Sequence, residues 1–420
     1  MQVQDFALAI EGLKDITFPR FVKIRQRFNR IKVGNIPDQV HREFSKTPVA
    51  TGIPHGCRVA VAVGSRGIAN IQEIVRAVVG ELKKLGAIPV IVPAMGSHGG
   101  GTAEGQREVL AGYGITPDEV GASIHSSQDV VQVGEINGQP VYYDHFAFHS
   151  DAVVLINRVK PHTDFKGPIE SGLIKMMVIG LGNHAGASSI HRQGFENFRQ
   201  LIPKVGEIIL AHTPPTIGVA VLENAYEETA IIEAVPGADI WKREPELLKT
   251  AKQLMPRLPL DAIDVLIVNE MGKDISGAGM DNNIIGRVEG FDEVPSIGKI
   301  MVLDLTERTH GNACGMGYID VTTTKMISKI DFKVTFTNDI ASGSMEKIPP
   351  FLNSEKEALQ VALITSRVRP EKSKIIRIKN TLELSEMIVS EPCLPGLTGE
   401  NMEILGAPFS LAFDEKDNLL

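Results

Sequence analysis

Short apolar runs alternate along this chain with amphipathic segments, and glycine-rich loops separate them. The run from Cys57 to Val63 predicts a buried strand, the periodic segment from Asn70 to Lys84 an amphipathic helix, and the run from Ala87 to Val92 the next strand. A strand, a helix and a second strand in this order form a crossover unit with parallel strands. The pattern therefore predicts an α/β fold.

The alternation continues through the rest of the chain. Further strands are predicted by apolar runs at Ala152 to Ile156, Thr216 to Leu222, Val265 to Val268 and Ile300 to Leu305. The sequence PRLP at residues 256–259 marks a break between domains. We predict two α/β domains, residues 1–258 and 259–390, with the active site in the cleft between them. A tail, residues 391–420, is expected to pack back on the first domain.

Composition narrows the classes of function. The 420 residues are 43% hydrophobic and 22% charged, as in ordinary globular proteins. The net charge of -8 disfavours a nucleic-acid binder, because phosphate neutralisation needs an excess of Lys and Arg. The basic stretch FVKIRQRFNRIK at residues 21–32 favours a solvated helix or strand face over a binding site.

No apolar run approaches the roughly 20 residues that span a bilayer. The first residues also lack a signal-peptide pattern, so we expect a cytoplasmic protein with no membrane partner. The three cysteines, Cys57, Cys314 and Cys393, are widely separated and form no CxxC pair. They indicate neither a disulfide framework nor a zinc knuckle.

The segment from Asn157 to Phe195 holds the densest set of reactive side chains, namely His162, Lys175 and His191. It follows a predicted buried strand, and α/β folds place their sites where such strands end. His184 is a fourth candidate whose role we leave open. Several glycines lie between these residues, and glycines let the backbone approach a ligand closely.

Lys175 has apolar neighbours on both sides in the sequence SGLIKMMVIG. A lysine that is desolvated in such surroundings loses basicity and becomes a usable nucleophile. An equally compatible interpretation is a lysine whose aliphatic stem packs while its ammonium group reaches water.

Two more loops follow predicted strands and carry candidate side chains. Arg66 lies in GSRG, close to a strand end and a helix start, where anions are favourably held. A helix-capping arginine is the alternative. His98 lies in GSHGG, the same kind of loop, and this position favours a site residue over a structural histidine.

The second half of the chain repeats this arrangement. Lys273, in the loop EMGKDISGAGMD, is a candidate for binding an anionic substrate group, and a surface lysine is the alternative. His310 and Asn312 follow another predicted strand. For these two we favour structural side chains that bond the loop backbone.

With these loops in this order, the chain resembles the nickel-dependent lactate racemase family and its 2-hydroxyacid racemase and epimerase homologues. GSRG, GSHGG, KPH, SGLIK and EMGKDISGAGMD correspond to the site loops of that family. Lys175 and His191 keep the family's separation of sixteen residues. The resemblance extends over most of the chain.

The resemblance implies a nickel pincer nucleotide, a nickel-pyridinium-3,5-bisthiocarboxylic acid mononucleotide, attached covalently to Lys175. It implies that His191 is the protein ligand to nickel and that His98 and His162 are the paired acid and base. Soft sulfur donors together with an imidazole suit nickel better than they suit a hard cation.

The remaining roles are also carried over from the resemblance. Arg66 and Lys273 would contact the substrate carboxylate or the cofactor, and the glycine-rich loops, with Gly99, Gly100 and Gly182, would seat the nucleotide. The implied partners are a small 2-hydroxyacid substrate and the enzymes that synthesise the cofactor.

A 2-hydroxycarboxylate suits this scheme chemically. Its C2 hydrogen is a poor acid because the carboxylate is already anionic, so hydride transfer through a 2-keto intermediate, with a base on the hydroxyl proton, is the easier route. Histidines as a class titrate near neutral pH, and two of them can handle that proton on either face.

The sequence departs from lactate racemase at Val63, Asn269 and Glu270. Its single tryptophan, Trp241, also lies outside the late segment where lactate racemase has one near its substrate. We therefore expect a substrate other than lactate. With Glu270 as a substrate-binding residue, a more hydroxylated acid such as an aldonate is favoured.

Two other classes of function stay open. His98, His162 and His191 with a water molecule would form the catalytic zinc site of a hydrolase, which leaves Lys175 without a role. A non-catalytic nucleotide-binding protein is the other possibility.

Overall fold

The computed structural model describes residues 12–65, 67–163, 165–194, 197–287, 294–342 and 347–420. The chain divides into two compact units. The central unit is Asn29–Met255, and the terminal unit combines the chain up to Phe28 with Pro256–Leu420. Each unit has its own sheet and its own hydrophobic cores.

The strands, in chain order, are β1 (Phe21–Gln26), β2 (Arg58–Val63), β3 (Ile88–Pro93), β4 (Ser123–Ile124), β5 (Val130–Ile136), β6 (Gln139–Asp144), β7 (Ala152–Arg158), β8 (Thr216–Glu223), β9 (Thr229–Pro236), β10 (Ala262–Met271), β11 (Ser296–Leu305), β12 (Thr322–Thr323), β13 (Phe351–Leu352), β14 (Ile375–Ile378), β15 (Glu386–Ser390) and β16 (Met402–Phe409). The helices are α1 (Ile36–Phe44), α2 (Thr47–Thr51), α3 (Ile71–Lys84), α4 (Ala103–Gly112), α5 (Pro117–Val120), α6 (His145–Phe148), α7 (Leu173–Lys175), α8 (Asn183–His191), α9 (Phe198–His212), α10 (Ile240–Leu254), α11 (Asn282–Ile285), α12 (Thr324–Ser328), α13 (Phe332–Ser342) and α14 (Glu355–Ser366). A π-helical turn, Met176–Gly180, follows α7 directly.

The sheet of the central unit has the order β4-β3-β2-β7-β8-β9, with only β9 antiparallel among its paired strands. Alternate residues of β2 enter two different cores because successive side chains of a strand point to opposite faces. Val59, Val61 and Val63 pack with α1 and α3, whereas Ala60 and Ala62 pack with α9 and α10. Helices thus cover both faces of a mostly parallel sheet, and the predicted α/β fold class is confirmed.

The order of the strands also identifies the edge of this sheet where ligand sites of such folds lie. From β2 the chain moves to β3 on one side, while β7 lies on the other side of β2. Ligand sites of open α/β sheets lie at the carboxyl ends of the strands where the winding direction changes in this way. The loops after β2, β3 and β7 carry Ser65, His98 and His162 to that edge.

The sheet of the terminal unit has the order β11-β10-β14-β15-β1-β16. Strands β10, β11 and β14 are parallel, and β15, β1 and β16 extend the sheet in antiparallel fashion. Strand β1 is therefore an interior strand of a sheet whose other members come from the second half of the chain.

The basic stretch at residues 21–32 begins with strand β1, and its basic side chains there form a solvated strand face, as predicted. Phe21, Val22 and Ile24 are buried in the terminal unit, while Lys23 and Arg25 project from the strand and pair with Glu386 at 2.6 and 2.7 Å. The stretch is thus a two-sided strand with one solvated face, and its apolar face belongs to the core.

The two units differ from the predicted domains 1–258 and 259–390. The break at Met255–Pro256 lies close to the predicted one, but residues 12–28 belong to the terminal unit. In the predicted tail, residues 391–420, strand β16 pairs with β1 inside that same unit. The reason is long-range strand pairing, which local sequence patterns do not encode. That the active site lies between the domains stays a prediction.

Across the residues that the structure describes, no helix is both long and apolar enough to cross a membrane.

Phe21 provides a test of this division. It is fully buried in the terminal unit, so Phe21→Ala should lower the free energy of unfolding of that unit by about 3 to 5 kcal/mol through lost burial and a residual cavity. Hydrogen exchange should accelerate in β14 and β15 and stay unchanged in β2. The exposed Ile31→Ala is the control, and equal acceleration in both units would contradict the division.

Candidate functional site

Lys175 and His191 lie on successive helical elements that follow β7. Lys175 is the last residue of α7, the π-helical turn follows it, and His191 is the last residue of α8. The apolar neighbours of Lys175, Leu173, Ile174 and Met177 among them, are fully buried, whereas Lys175 itself is partly exposed. The segment is therefore anchored in the core and presents its lysine toward a less enclosed region.

Lys175 contacts His162, which comes from the loop directly after β7. The Nζ atom of Lys175 lies 2.5 Å from Nε2 of His162. Two nitrogens this close hold a single proton between them, because two N–H groups pointing at each other would repel. One of the two nitrogens therefore donates a hydrogen bond to the other, and the contact places the imidazole within reach of a proton on the lysine amine.

Two phenylalanines connect this pair to His191. The ring of Phe165 lies 4.3 Å from that of His162 and 5.9 Å from Nζ of Lys175. Phe165 packs edge-on against Phe198 at 5.7 Å, and the ring of His191 stacks on Phe198 at 5.5 Å. The three candidate residues thus surround one aromatic cluster.

The surroundings of His191 lower its pKa and so favour its neutral form. Burial lowers its pKa, the nearby charge of Lys175 lowers that pKa further, and a backbone hydrogen bond with Ala187 opposes these effects. A neutral imidazole keeps a free lone pair, which is the form that ligates a transition metal. The environment of His191 therefore fits the role that the family resemblance implies for it.

The backbone of the loop that carries His162 is hydrogen-bonded to a buried carboxylate. Glu170 accepts a hydrogen bond of 2.7 Å from the backbone N–H of His162 and pairs with Lys252 of α10 at 2.8 Å. Lys166, which is also buried, donates to the carbonyl of His162 at 2.7 Å. Both backbone polar groups of His162 are thereby satisfied, and its side chain is left to face Lys175.

His98 lies at the same sheet edge, in the loop after β3. Its Nδ1 atom is hydrogen-bonded to the hydroxyl of Ser65, and the carbonyl of Ser65 accepts from Tyr113 at 2.6 Å. The loop packs closely on the Lys175 segment, because the N–H of Gly96 donates to the carbonyl of Gly180 at 3.0 Å. A Cβ atom on Gly180 would lie 2.6 Å from the carbonyl oxygen of Ala94, so glycine is required there.

The glycines expected to seat a nucleotide have structural reasons of their own. Gly99 and Gly100 adopt positive φ of 64° and 68°. A Cβ atom on Gly182 would lie 3.0 Å from Gly186. The ring of His184 packs against Gly101. The backbone N–H of His184 donates to the side-chain oxygen of Gln128 at 3.1 Å. The nucleotide role of these glycines stays a prediction.

The other candidates fall outside this cluster. Arg66 lies outside the described residues. Lys273 and Glu270 belong to the terminal unit, where Lys273 donates to Asn338 and Glu270 accepts from Asn380 at 3.1 Å. Asn312 accepts from the N–H of Cys314 at 3.1 Å, so it does bond loop backbone. The substrate roles of Lys273, Glu270 and Arg66 stay predictions.

No group of three or more His, Cys, Asp or Glu side chains is placed to hold a metal ion within the part of the chain that the structure describes. His98, His162 and His191 thus do not form a preassembled zinc site. A nickel ion held mainly by the donors of its own cofactor would need only one of them.

Comparisons with known proteins add little here. No family model matches the chain, and no curated protein matches it. Among solved structures, the chain is similar to the lactate racemase apoprotein from Thermoanaerobacterium thermosaccharolyticum, at 12% identity over 90% of this chain and 96% of that chain, with a TM-score of 0.48. At that identity and TM-score the likeness carries no argument about the site.

Several residues that shape the site were not singled out from the sequence. Phe165 and Phe198 join the three candidates, and Glu170 and Glu244 support the backbone beneath them. For Glu170 the sequence offers one indication of this role, namely that it lies eight residues after His162. Glu244 carries no such signal, since it lies about 70 residues from the backbone group it contacts.

Glu244 gives a prediction about stability and pH. Burial raises its pKa from 4.5 to about 7. As the pH rises from about 4.5 to 7, the unfolded chain loses this proton before the folded chain does, so the free energy of unfolding falls by up to roughly 3 kcal/mol. Glu244→Gln cannot ionise and should remove this fall, which urea unfolding at pH 5 and pH 8 will measure.

The control is Glu246→Gln, the same change on an exposed position of the same helix, where Glu246 pairs with Arg243. Its pH dependence should match that of the wild type. If Glu244→Gln showed the wild-type difference between pH 5 and pH 8, Glu244 would have an ordinary pKa.

Proposed function

We propose that this chain is a racemase or epimerase of a 2-hydroxycarboxylic acid, with a nickel pincer nucleotide attached to Lys175. The observation that carries the proposal is the contact of Lys175 with His162, beside a neutral His191. A surface lysine would need neither the contact nor the buried anchoring of its helix. The sequence resemblance to nickel-dependent racemases supports the same assignment, and a substrate other than lactate is favoured.

The residues present fit this group. Covalent attachment needs an unprotonated amine, and His162 Nε2 is in position to take the proton of Lys175. His191 would hold the nickel through its neutral imidazole. The chemistry that the group supplies when bound is reversible acceptance of the C2 hydrogen of the substrate as hydride.

The proton of the substrate hydroxyl is then the task of the two other histidines. With the group attached, the nitrogen of Lys175 would be part of an uncharged linkage, and Nε2 of His162 would accept the proton of the substrate hydroxyl. His98 would do the same for the opposite enantiomer, with Ser65 on its Nδ1 fixing the ring and its tautomer. Which enantiomer each histidine serves follows from the face on which it lies.

Lys175→Arg tests the attachment. Protein from a host that makes the cofactor should carry an adduct of nucleotide size on the peptide with Lys175, visible by intact mass and peptide mapping. Lys175→Arg should lose the adduct, the racemase activity and most of the nickel, because a guanidinium cannot form the linkage. His191→Ala should keep some adduct and hold nickel poorly, because the tether remains while a ligand is lost.

The control is Lys204→Arg, the same change at an exposed position of α9, which should keep both adduct and activity. An active Lys175→Arg enzyme, or an active wild type with unmodified Lys175, would contradict the proposal. Full zinc occupancy without nickel would favour the hydrolase instead, and an inert, nickel-loaded protein would favour nucleotide binding.

His98→Ala and His162→Ala separate the two histidines. Each should lower racemisation by about 100-fold or more, because each removes an acid/base group. His98→Ala should keep the wild-type level of adduct, whereas His162→Ala should also slow adduct formation, because Lys175 then lacks its proton acceptor. Loss of C2 configuration in a panel of 2-hydroxyacids and intact mass measure the two effects.

The exposed His149→Ala should change neither quantity. Normal racemisation in His98→Ala would remove the two-histidine scheme.

A further inference from the structure

We propose that Glu244 is a positioning residue that fixes the turn before Lys175, so that the amine of Lys175 stays against His162. The importance of Lys175 rests on the proposed function, but the positioning itself concerns the protein without cofactor. Glu244 touches neither of the two reactive groups. It acts on the backbone that carries one of them.

The carboxyl group of Glu244 lies directly under the start of α7. Glu244 is only 1% exposed, and its Oε2 atom accepts a hydrogen bond of 3.0 Å from the N–H of Ile174, the residue before Lys175. The first N–H groups of a helix have no partner within the helix, so a buried helix start needs an external acceptor. Gly172, at the N-cap, has no side chain to supply one.

The same turn is held from a second direction. Asn157, near the end of β7, donates to the carbonyl of Gly172 at 2.7 Å. Gly172 also packs so closely on Glu244 that a Cβ atom there would lie 2.3 Å from Oε1 of the carboxyl group. The turn is therefore held by Asn157 of the sheet on one side and packs against Glu244 of α10 on the other.

Helix α10 supports the other member of the pair as well. Lys252 lies two helical turns after Glu244 and pairs with Glu170, which accepts from the N–H of His162. One helix thus supports the backbone at Ile174 directly and the backbone of His162 through Glu170. Groups that hold the backbone of a reactive residue commonly determine how accurately two reactive side chains are placed against each other.

The surroundings of the second carboxyl oxygen of Glu244 indicate that this residue positions the backbone and does not merely fill space. Oε1 is buried without a hydrogen-bond partner, which is costly for a group that only fills space. A leucine of similar volume would avoid that cost but would leave the N–H of Ile174 without its acceptor. A glutamine would keep an acceptor for that N–H.

The test uses protein from a host without the cofactor pathway, with histidine labelled by ¹⁵N. The imidazole signal of His162, assigned from His162→Gln, reports the contact with Lys175, and Lys175→Met gives its position without that contact. Glu244→Leu should move the signal toward the Lys175→Met position. It should also speed hydrogen exchange of the Ile174 amide by about tenfold or more.

Glu244→Gln should keep the His162 signal at its wild-type position, because the amide oxygen of the glutamine can accept a hydrogen bond from the N–H of Ile174. Glu246→Gln, on the exposed face of α10, should not move the signal. A folded Glu244→Leu protein with the wild-type His162 signal would overturn the proposal, as would a shifted signal in Glu244→Gln.

If Glu244→Leu does not fold, the variant Gly172→Ala tests the proposal instead. The backbone at residue 172 is extended, with φ of 179°, so alanine causes no backbone strain, but its Cβ must displace the carboxyl group. The His162 signal should shift as in Lys175→Met, and an unchanged signal would overturn the proposal. Because no cofactor is present, this outcome is independent of the adduct test of Lys175.

Discussion

The contact between Lys175 and His162 is the constraint on which the arrangement of the candidate site depends. Nζ of Lys175 and Nε2 of His162 lie 2.5 Å apart, so only one of the two nitrogens can present an N–H group to the other. Holding the two nitrogens there requires rigid backbone on both sides. The helical segment of Lys175 is anchored by buried apolar residues, and the loop of His162 is anchored by Glu170. The geometry is thus a property of the core as much as of the two side chains.

Two buried carboxylates support the backbone on either side of this contact. Neither would be favoured if only the stability of the folded chain mattered. Glu170 is fully buried, and its two lysine partners only offset the cost of removing its charge from water. Glu244 has a raised pKa and one oxygen without a partner. Apolar residues of similar size would pack there at less cost. Their presence is explained if the backbone N–H groups of Ile174 and His162 must be held in place.

Much of the central unit could be predicted from the chain because its determinants are local. The apolar runs at Cys57 to Val63 and Ala152 to Ile156 fall on strands β2 and β7. Polar residues directly after such strands are carried to one sheet edge, so the loops of His98 and His162 could be placed in advance. The closeness of His162 and Lys175 was not derivable, since it depends on how the intervening loop folds back.

What could not be predicted depends on pairing between distant parts of the chain. Strand β1 joins β15 and β16 more than 350 residues away, and no local pattern records such a partner. Glu244 looks like any helical glutamate beside Glu246, and only the structure shows that one is buried under α7 while the other is exposed. Supporting residues are therefore found less easily than reactive ones.

The coupling between Lys175 and His191 bears on the order in which a cofactor could assemble. The charge of Lys175 contributes to the low pKa of His191, and acylation of the lysine would remove that contribution. Burial is the larger cause, and it remains after acylation. Burial would therefore favour the neutral form of His191 whether or not Lys175 carried a group. On the proposed function, attachment and metal binding would need no fixed order, because the packing around the imidazole lowers its pKa in either case.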